Sequence, residues 1–251
     1  MLSELSSEPQ FSPHSRKTAL VTGGAKRLGR ELALVLARSG MHVAITFRES
    51  KLEAFETVRA IEALGVRSIA LQMDVRSEES VRRAVAATVA EFGGLDLLGN
   101  NAAVFESAPI SEITLDQWDA VFETNTRGPF LMARETLPYL KAARGRIINL
   151  GSLGGSHPWT THAHYCASKA ALHMLTQTMA KAFVPEVSVN CVAPGYIEVG
   201  DAGKEALHFA SKTPMGRNGS AEDVAAAVLF FATGPQFITG QILNVDGGLG
   251  L

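Results

Sequence analysis

The chain has only two cysteines, Cys166 and Cys191, in 251 residues. That excludes a disulfide framework, and their spacing matches no metal-ligand pattern; a reducing, cytoplasmic setting is expected. Charge of one sign is also lacking. Lys plus Arg number 23 against 25 for Asp plus Glu, a net charge of −2, which gives no general attraction to nucleic acid. Any phosphate site must therefore be local. No apolar run approaches the roughly 20 residues of a membrane span. The opening "MLSELSSEPQFSPHSRK" lacks the apolar block of a secretory signal. Rich in Ser and Pro, residues 1 to about 15 are expected to form a flexible arm that buries little. No linker, low-complexity block or repeat interrupts residues 16–251, which are expected to form one domain. Hydrophobic residues make up 46% of the chain, enough for a sizeable core.

What is present alternates between two textures. Short runs rich in Val, Ile and Leu suit buried parallel strands: "TALVTG", "HVAITF", "SIALQMD", "LDLLGNN", "GRIINLGS", "SVNCVAPG" and "QILNVDGG". Ala-rich stretches with helical periodicity lie between them, among them "GRELALVLARSG", "SEESVRRAVAATVAEFG" and "YCASKAALHMLTQTMAKAF". The alternation predicts an α/β doubly wound parallel sheet with helices on both faces. Ligands of such sheets bind at the carboxyl ends of the strands.

The run "LVTGGAKRLGR" follows the first strand and enters a helix. Glycines permit a tight turn and close backbone approach, and a helix start offers free N–H groups to an anion. A plain strand-to-helix turn would look similar. A cofactor with a free ribose 2′-OH usually meets a carboxylate some 20 residues beyond such glycines. That carboxylate is missing here: the second strand ends Thr46-Phe47-Arg48, with none until Glu49. Arg48, unless it is a solvated surface residue, suits a 2′-phosphate through forked hydrogen bonds, with Lys26 or Arg27 approaching from the loop. NADP(H) is the expected cofactor.

Tyr165 and Lys169 in "YCASK" stand four residues apart, on one face of a helix. Ser152 in "NLGSLGG" ends a strand upstream. A carbonyl being reduced needs a hydride on carbon and a proton on oxygen. Tyr165 can give the proton, but an ordinary phenol pKa near 10 is too high for efficient exchange. A neighbouring Lys ammonium, with an oxidised nicotinamide, would lower it, and Ser152 can hydrogen-bond the oxygen as charge develops.

With these residues in hand, nearly the whole chain after the arm resembles the short-chain dehydrogenase/reductase family. The family's T-G-x-x-x-G-x-G maps onto Thr22, Gly23 and Gly29, with Arg27 in place of the middle Gly and Leu28 between. NADPH-using pteridine reductases share a similar K-R-L-G turn. The resemblance implies a single-domain Rossmann-type fold with about seven parallel strands, so that residues 16–251 form a dinucleotide-binding catalytic domain. It implies that Asp74 in "MDV", with Val75 beside it, meets the adenine. It also implies that Asn101, Ala102 and Ala103 in "NNAA" line the cofactor, and that Pro194, Gly195 and Ile197 form the strip beside the nicotinamide. Lys169 would hold the nicotinamide ribose, and Asn125 in "FETNTRG" would complete an Asn-Ser-Tyr-Lys tetrad and hold a water.

Two subgroups compete for the substrate. The 3-oxoacyl-carrier-protein reductases carry Arg about where this chain has Ala143 and Glu186. Pteridine reductases place an aromatic at the position of Phe105, but typically have Asp where this chain has Ser152. A carbonyl reductase of unspecified substrate is the reading that both leave standing. A non-catalytic NADP(H)-binding regulatory protein is the alternative from another class. "HPWTTHAH" puts His157 and Trp159 near the substrate, and "YIEVGDAGKEALHFASKTPMGR" is a plausible mobile lid. No metal is expected, because His157, His162 and His164 have no Cys or carboxylate partner at ligand spacing. "WDAVFETNTRGPFLMARETLPYL" and "YCASKAALHMLTQTMAKAF" are apolar on more than one face. That pattern suits a subunit interface in a homotetramer, with a dimer as fallback, and equally a wide stripe facing the core.

Overall fold

The computed structural model describes residues 16–198 and 204–251. The expected arm, residues 1–15, and residues 199–203 of the expected lid lie outside the described residues. Seven strands form one sheet: β1 (Thr18–Val21), β2 (His42–Phe47), β3 (Ser68–Gln72), β4 (Leu97–Asn100), β5 (Arg146–Leu150), β6 (Ser188–Pro194) and β7 (Ile242–Val245). Every pairing is parallel, in the order β3-β2-β1-β4-β5-β6-β7. The helices are α1 (Arg27–Arg38), α2 (Lys51–Glu62), α3 (Glu78–Phe92), α4 (Leu115–Phe122), α5 (Gly128–Ala143), α6 (Ala163–Phe183), α7 (Lys204–Lys212) and α8 (Ala221–Thr233). This is the doubly wound Rossmann-type architecture.

The apolar strand runs follow from burial on both faces. Along β1, Ala19 and Val21 join one core while Leu20 joins the other; along β5, Ile148 and Leu150 oppose Ile147 in the same way. The first core gathers side chains of α1, α2 and α8, the second those of α3, α5 and α6. With both sides covered, no polar alternation survives in the strands. Helix starts are set by local caps. Ser77 caps α3, and capping boxes open α4 (Thr114, Gln117) and α8 (Ser220, Asp223). α1 has no side-chain cap at Lys26 and no acid in its first turn, so its N–H groups stay available. Winding reverses between β1 and β4, and there the carboxyl ends of the strands open a cleft.

Candidate active site

The glycine loop between β1 and α1 is shaped by close approach. Gly23 has φ 63°, and a Cβ at Gly29 would collide with the Gly23 carbonyl oxygen. The Gly23 N–H donates to Thr46 Oγ1 at 3.2 Å, and the Asn101 side chain donates to the Thr22 and Gly23 carbonyls at 2.9 and 3.1 Å. Arg27 has φ 52°. It therefore keeps the left-handed backbone that the family's glycine would supply, although it carries a side chain. The loop and the uncapped start of α1 border a cleft of about 440 Å³. Gly23, Lys26, Arg27, Leu28, Gly29, Arg48, Asp74, Val75, Asn101, Ala102 and Ala103 all line it, as expected.

Thr22 does not. It is buried, and its hydroxyl accepts the Asn101 and Ala102 N–H groups at 2.9 and 3.0 Å, so it ties β1 to β4 behind the loop. Thr46, Phe47 and Ser50 line the cleft without having been singled out. Thr46 had a signal, since it ends the strand that faces the glycines. At the β2 end, Arg48 Nε donates to Glu49 Oε1 at 3.0 Å across a largely exposed pair. Such a pair is weak and leaves the guanidinium able to turn to a stronger anion. Lys26, Arg27 and Arg48 on one cleft, beside an uncapped helix start, fit a dinucleotide with an added phosphate.

Farther along the strand ends, Ser152 closes β5 in extended geometry and accepts the Gly154 N–H at 3.1 Å. Its hydroxyl faces the Tyr165 phenol and pulls the phenol pKa down. The Lys169 ammonium donates to the Leu150 carbonyl at 2.7 Å and lies 5.7 Å from the Tyr165 ring centroid. All three side chains are buried. Burial pushes Lys169 down to about 8. Burial raises the Tyr165 phenol above its ordinary value, and Ser152 pulls only part of the way back; the expected lowering counts the charge of an oxidised nicotinamide as well as that of Lys169. The ammonium sits against the ring, and desolvation dominates at the hydroxyl.

Comparison with known proteins decides what this geometry belongs to. Residues 23–250 match a family model described as enoyl-(acyl carrier protein) reductase. A 3-oxoacyl-[acyl-carrier-protein] reductase of Staphylococcus aureus is 36% identical over 240 residues, covering 93% of this chain and 98% of that protein. A short-chain dehydrogenase of Burkholderia cenocepacia, solved in complex with NADP, superposes with a TM-score of 0.89 at 38% identity, covering 94% of this chain and 98% of that one. A blue fluorescent protein from a metagenomic library, solved with NADPH, gives 0.88 at 33% identity over the same shares. The chain belongs to the short-chain dehydrogenase/reductase family. It is an oxidoreductase of carbonyl and alcohol groups.

The rest of the short-chain dehydrogenase/reductase pattern falls into place unevenly. Asn125 sits in a π-helical turn, Glu123–Arg127, between α4 and α5. Its carboxamide accepts the Val104 N–H at 2.8 Å and donates to the Val104 carbonyl and Ser168 Oγ at 2.9 and 3.1 Å. Ser168 in turn donates to the Tyr165 carbonyl at 2.7 Å. Asn125 thus fastens the cleft wall to α6. Asp74 lines the cleft, but both its oxygens are held by the Arg76 guanidinium, which keeps the carboxyl below its ordinary range. Pro194 ends β6, Gly195 donates to the Val245 carbonyl at 3.0 Å, and Ile197 bridges to Gly219. These three lie beyond the lining of the glycine-loop cleft, as do Tyr165 and Lys169.

Aromatic rings wall the Tyr165 side. Phe105, largely exposed, meets Tyr165 edge-on with centroids 4.8 Å apart, and Trp159 lies parallel to Tyr165 at 6.0 Å. His157 instead hydrogen-bonds Ser156 and lies against Gly250 near the chain end. His162 occupies the place given to His157, stacking on Phe105 at 4.7 Å and meeting Trp159 edge-on at 5.7 Å. Composition could not separate the two histidines, because only the turn at 157–162 decides which ring faces Tyr165. Among the described residues no group of His, Cys, Asp and Glu side chains converges as a metal site.

Proposed function

We propose that the protein is an NADP(H)-dependent reductase converting a carbonyl to an alcohol, with Tyr165 as proton donor. The observation that carries the reading is the meeting of Ser152, Tyr165 and Lys169 at the end of β5, beside a cleft bearing Lys26, Arg27 and Arg48. The cofactors named for the Burkholderia and metagenomic relatives support the choice of NADP(H). Bound NADPH would supply the hydride. Ser152 hydrogen-bonds the substrate oxygen, and Tyr165 delivers its proton to that oxygen as charge builds there. Lys169, with its pKa near 8, exchanges protons close to neutral pH and holds the nicotinamide ribose. Arg48, with Lys26 or Arg27, takes the 2′-phosphate.

The substrate is a carbonyl compound that fits beside Phe105, Trp159 and His162. A 3-oxoacyl thioester is supported by the staphylococcal relative, a pterin by the position of Phe105; Ser152 speaks against the pterin. A purely regulatory NADP(H) binder would need no proton donor, and the complete Asn125-Ser152-Tyr165-Lys169 set speaks against it. We place the protein in the cytoplasm as a homotetramer, or failing that a dimer, joined through α5 and α6.

Replacing Tyr165 tests the core of the proposal. Tyr165→Phe is expected to lower NADPH-dependent turnover of acetoacetyl thioesters, dihydropterins or quinones at least about 10²-fold, with NADPH affinity kept. A variant that retains most of its turnover would remove Tyr165 as the acid.

A further inference from the structure

α6 carries Tyr165, Lys169 and His173 at intervals of four, so all three share one stripe of the helix. The stripe meets the segment that leaves β5 residue by residue. Tyr165 faces the Ser152 hydroxyl, and the Lys169 ammonium donates to the Leu150 carbonyl. The His173 ring lies against Gly151 and Gly155, the glycines on either side of Ser152–Gly154. A Cβ at Gly151 would fall 2.5 Å from His173 Nε2, and one at Gly155 would strike the ring at Cε1. From β6, Cys191 Sγ closes on the same spot, 2.6 Å from that Gly151 Cβ position. The imidazole therefore fills the space that Gly151 and Gly155 leave free. Its Nε2 is cut off from solvent and has no hydrogen-bond partner among the described residues. The mechanism above makes no use of it.

We propose that His173 is a positioning residue, whose ring wedges the Gly151–Gly155 segment and so fixes the Ser152 hydroxyl against Tyr165. The proposal rests on the reductase reading of the site. Two titratable groups face the ring: Lys169 from α6 and Cys191 from β6; Gly151 and Gly155 bring none. Burial first, and the Lys169 ammonium second, hold the imidazole below its ordinary value, so it is neutral at pH 7. Burial pushes the Cys191 thiol up to about 12, so it supplies no counter-charge. A proton on His173 would set a second cation beside Lys169 and draw the ring toward water, releasing the glycines. Turnover should therefore fall on the acid side, once the pH drops far enough to put a proton on the imidazole.

The test uses the full chain with NADPH and an acetoacetyl thioester. In His173→Ala, kcat is expected to fall about 10- to 100-fold while the dissociation constant for NADPH holds. A crystal structure of the variant should show Ser152 Oγ displaced from Tyr165. His173→Gln puts a planar, non-titrating amide in the same place; it should recover kcat to within about threefold and abolish the acid limb. Wild-type kcat in His173→Ala with Ser152 unmoved would overturn the proposal, as would an acid limb unchanged in His173→Gln. If the wild type reduces no thioester, the reductase reading loses that substrate, and the position of Ser152 in His173→Ala still decides the role of His173.

Discussion

Arg27 keeps a glycine's backbone angle while carrying a side chain, a conformation that costs about 1–2 kcal/mol in an L-residue. The same conformation sets a third cation on the cleft beside Lys26 and Arg48. Arg48 reaches the cleft from β2, and its partner Glu49 is mostly exposed, so the pair gives way to a phosphate at little cost. Arg48→Ala is expected to weaken NADPH about 10- to 100-fold, the loss of one or two hydrogen bonds to a charged group. NADH should change by less than about threefold. Fluorescence titration with both cofactors checks this, and equal weakening of the two would assign Arg48 elsewhere. Ser152, Tyr165, Lys169 and the cleft cations were legible in the sequence because their chemistry requires particular residue types at particular spacings. Thr46 had only its place at a strand end to mark it, and the roles of His162 and His173 had no mark at all. Their roles arise from contacts between distant segments, in the Gly23–Thr46 bond, the Phe105 stack and the Gly151 wedge. The direction of the Tyr165 shift was hidden for the same reason, since burial is a property of the fold.

At the level of elements, β1, β2, β4, β5 and β6 could be read because burial on both faces leaves continuous apolar runs, and the half-exposed edge strands β3 and β7 still carry short apolar runs. α2 was harder: only Ala54, Thr57 and Ile61 are buried on it, too few to mark a period. The π turn at Glu123–Arg127 had no periodic signal either. The Gly128 N–H reaches back to Glu123 in the wider π register, and Pro129 beside it has no N–H to offer the Asn125 carbonyl. That widening presents the Asn125 side chain to Val104 and Ser168 at once. Asn125→Ala would leave the half-buried Val104 amide and carbonyl without these partners. Unfolding in urea should then show a loss of about 1–3 kcal/mol, together with lower turnover as the cleft wall slips on α6. Unchanged stability would mean that the three bonds contribute nothing net.

For the whole molecule, the same π turn joins two surfaces. Thr124 faces the cofactor cleft, while Glu123, Thr126 and Arg127 line a groove between the α4–α5 segment and α6. Phe130 and Met174 line that groove and are 43% and 62% exposed. Apolar side chains left open on two adjacent helices suit a self-complementary contact between copies of the chain, in which each residue meets its symmetry mate or a neighbour of it. Such a contact would brace the turn that carries Asn125, so assembly and catalysis should rise and fall together. Met174→Glu puts a carboxylate on that surface in every copy, where it must lose its water or meet a like charge. In sedimentation velocity the wild type is expected at four times the 26.7 kDa chain mass, or at twice it. The variant should sediment as a smaller species, with turnover reduced and NADPH affinity little changed. A variant of unaltered size would place the interface on another face and leave the π turn supported by α6 alone.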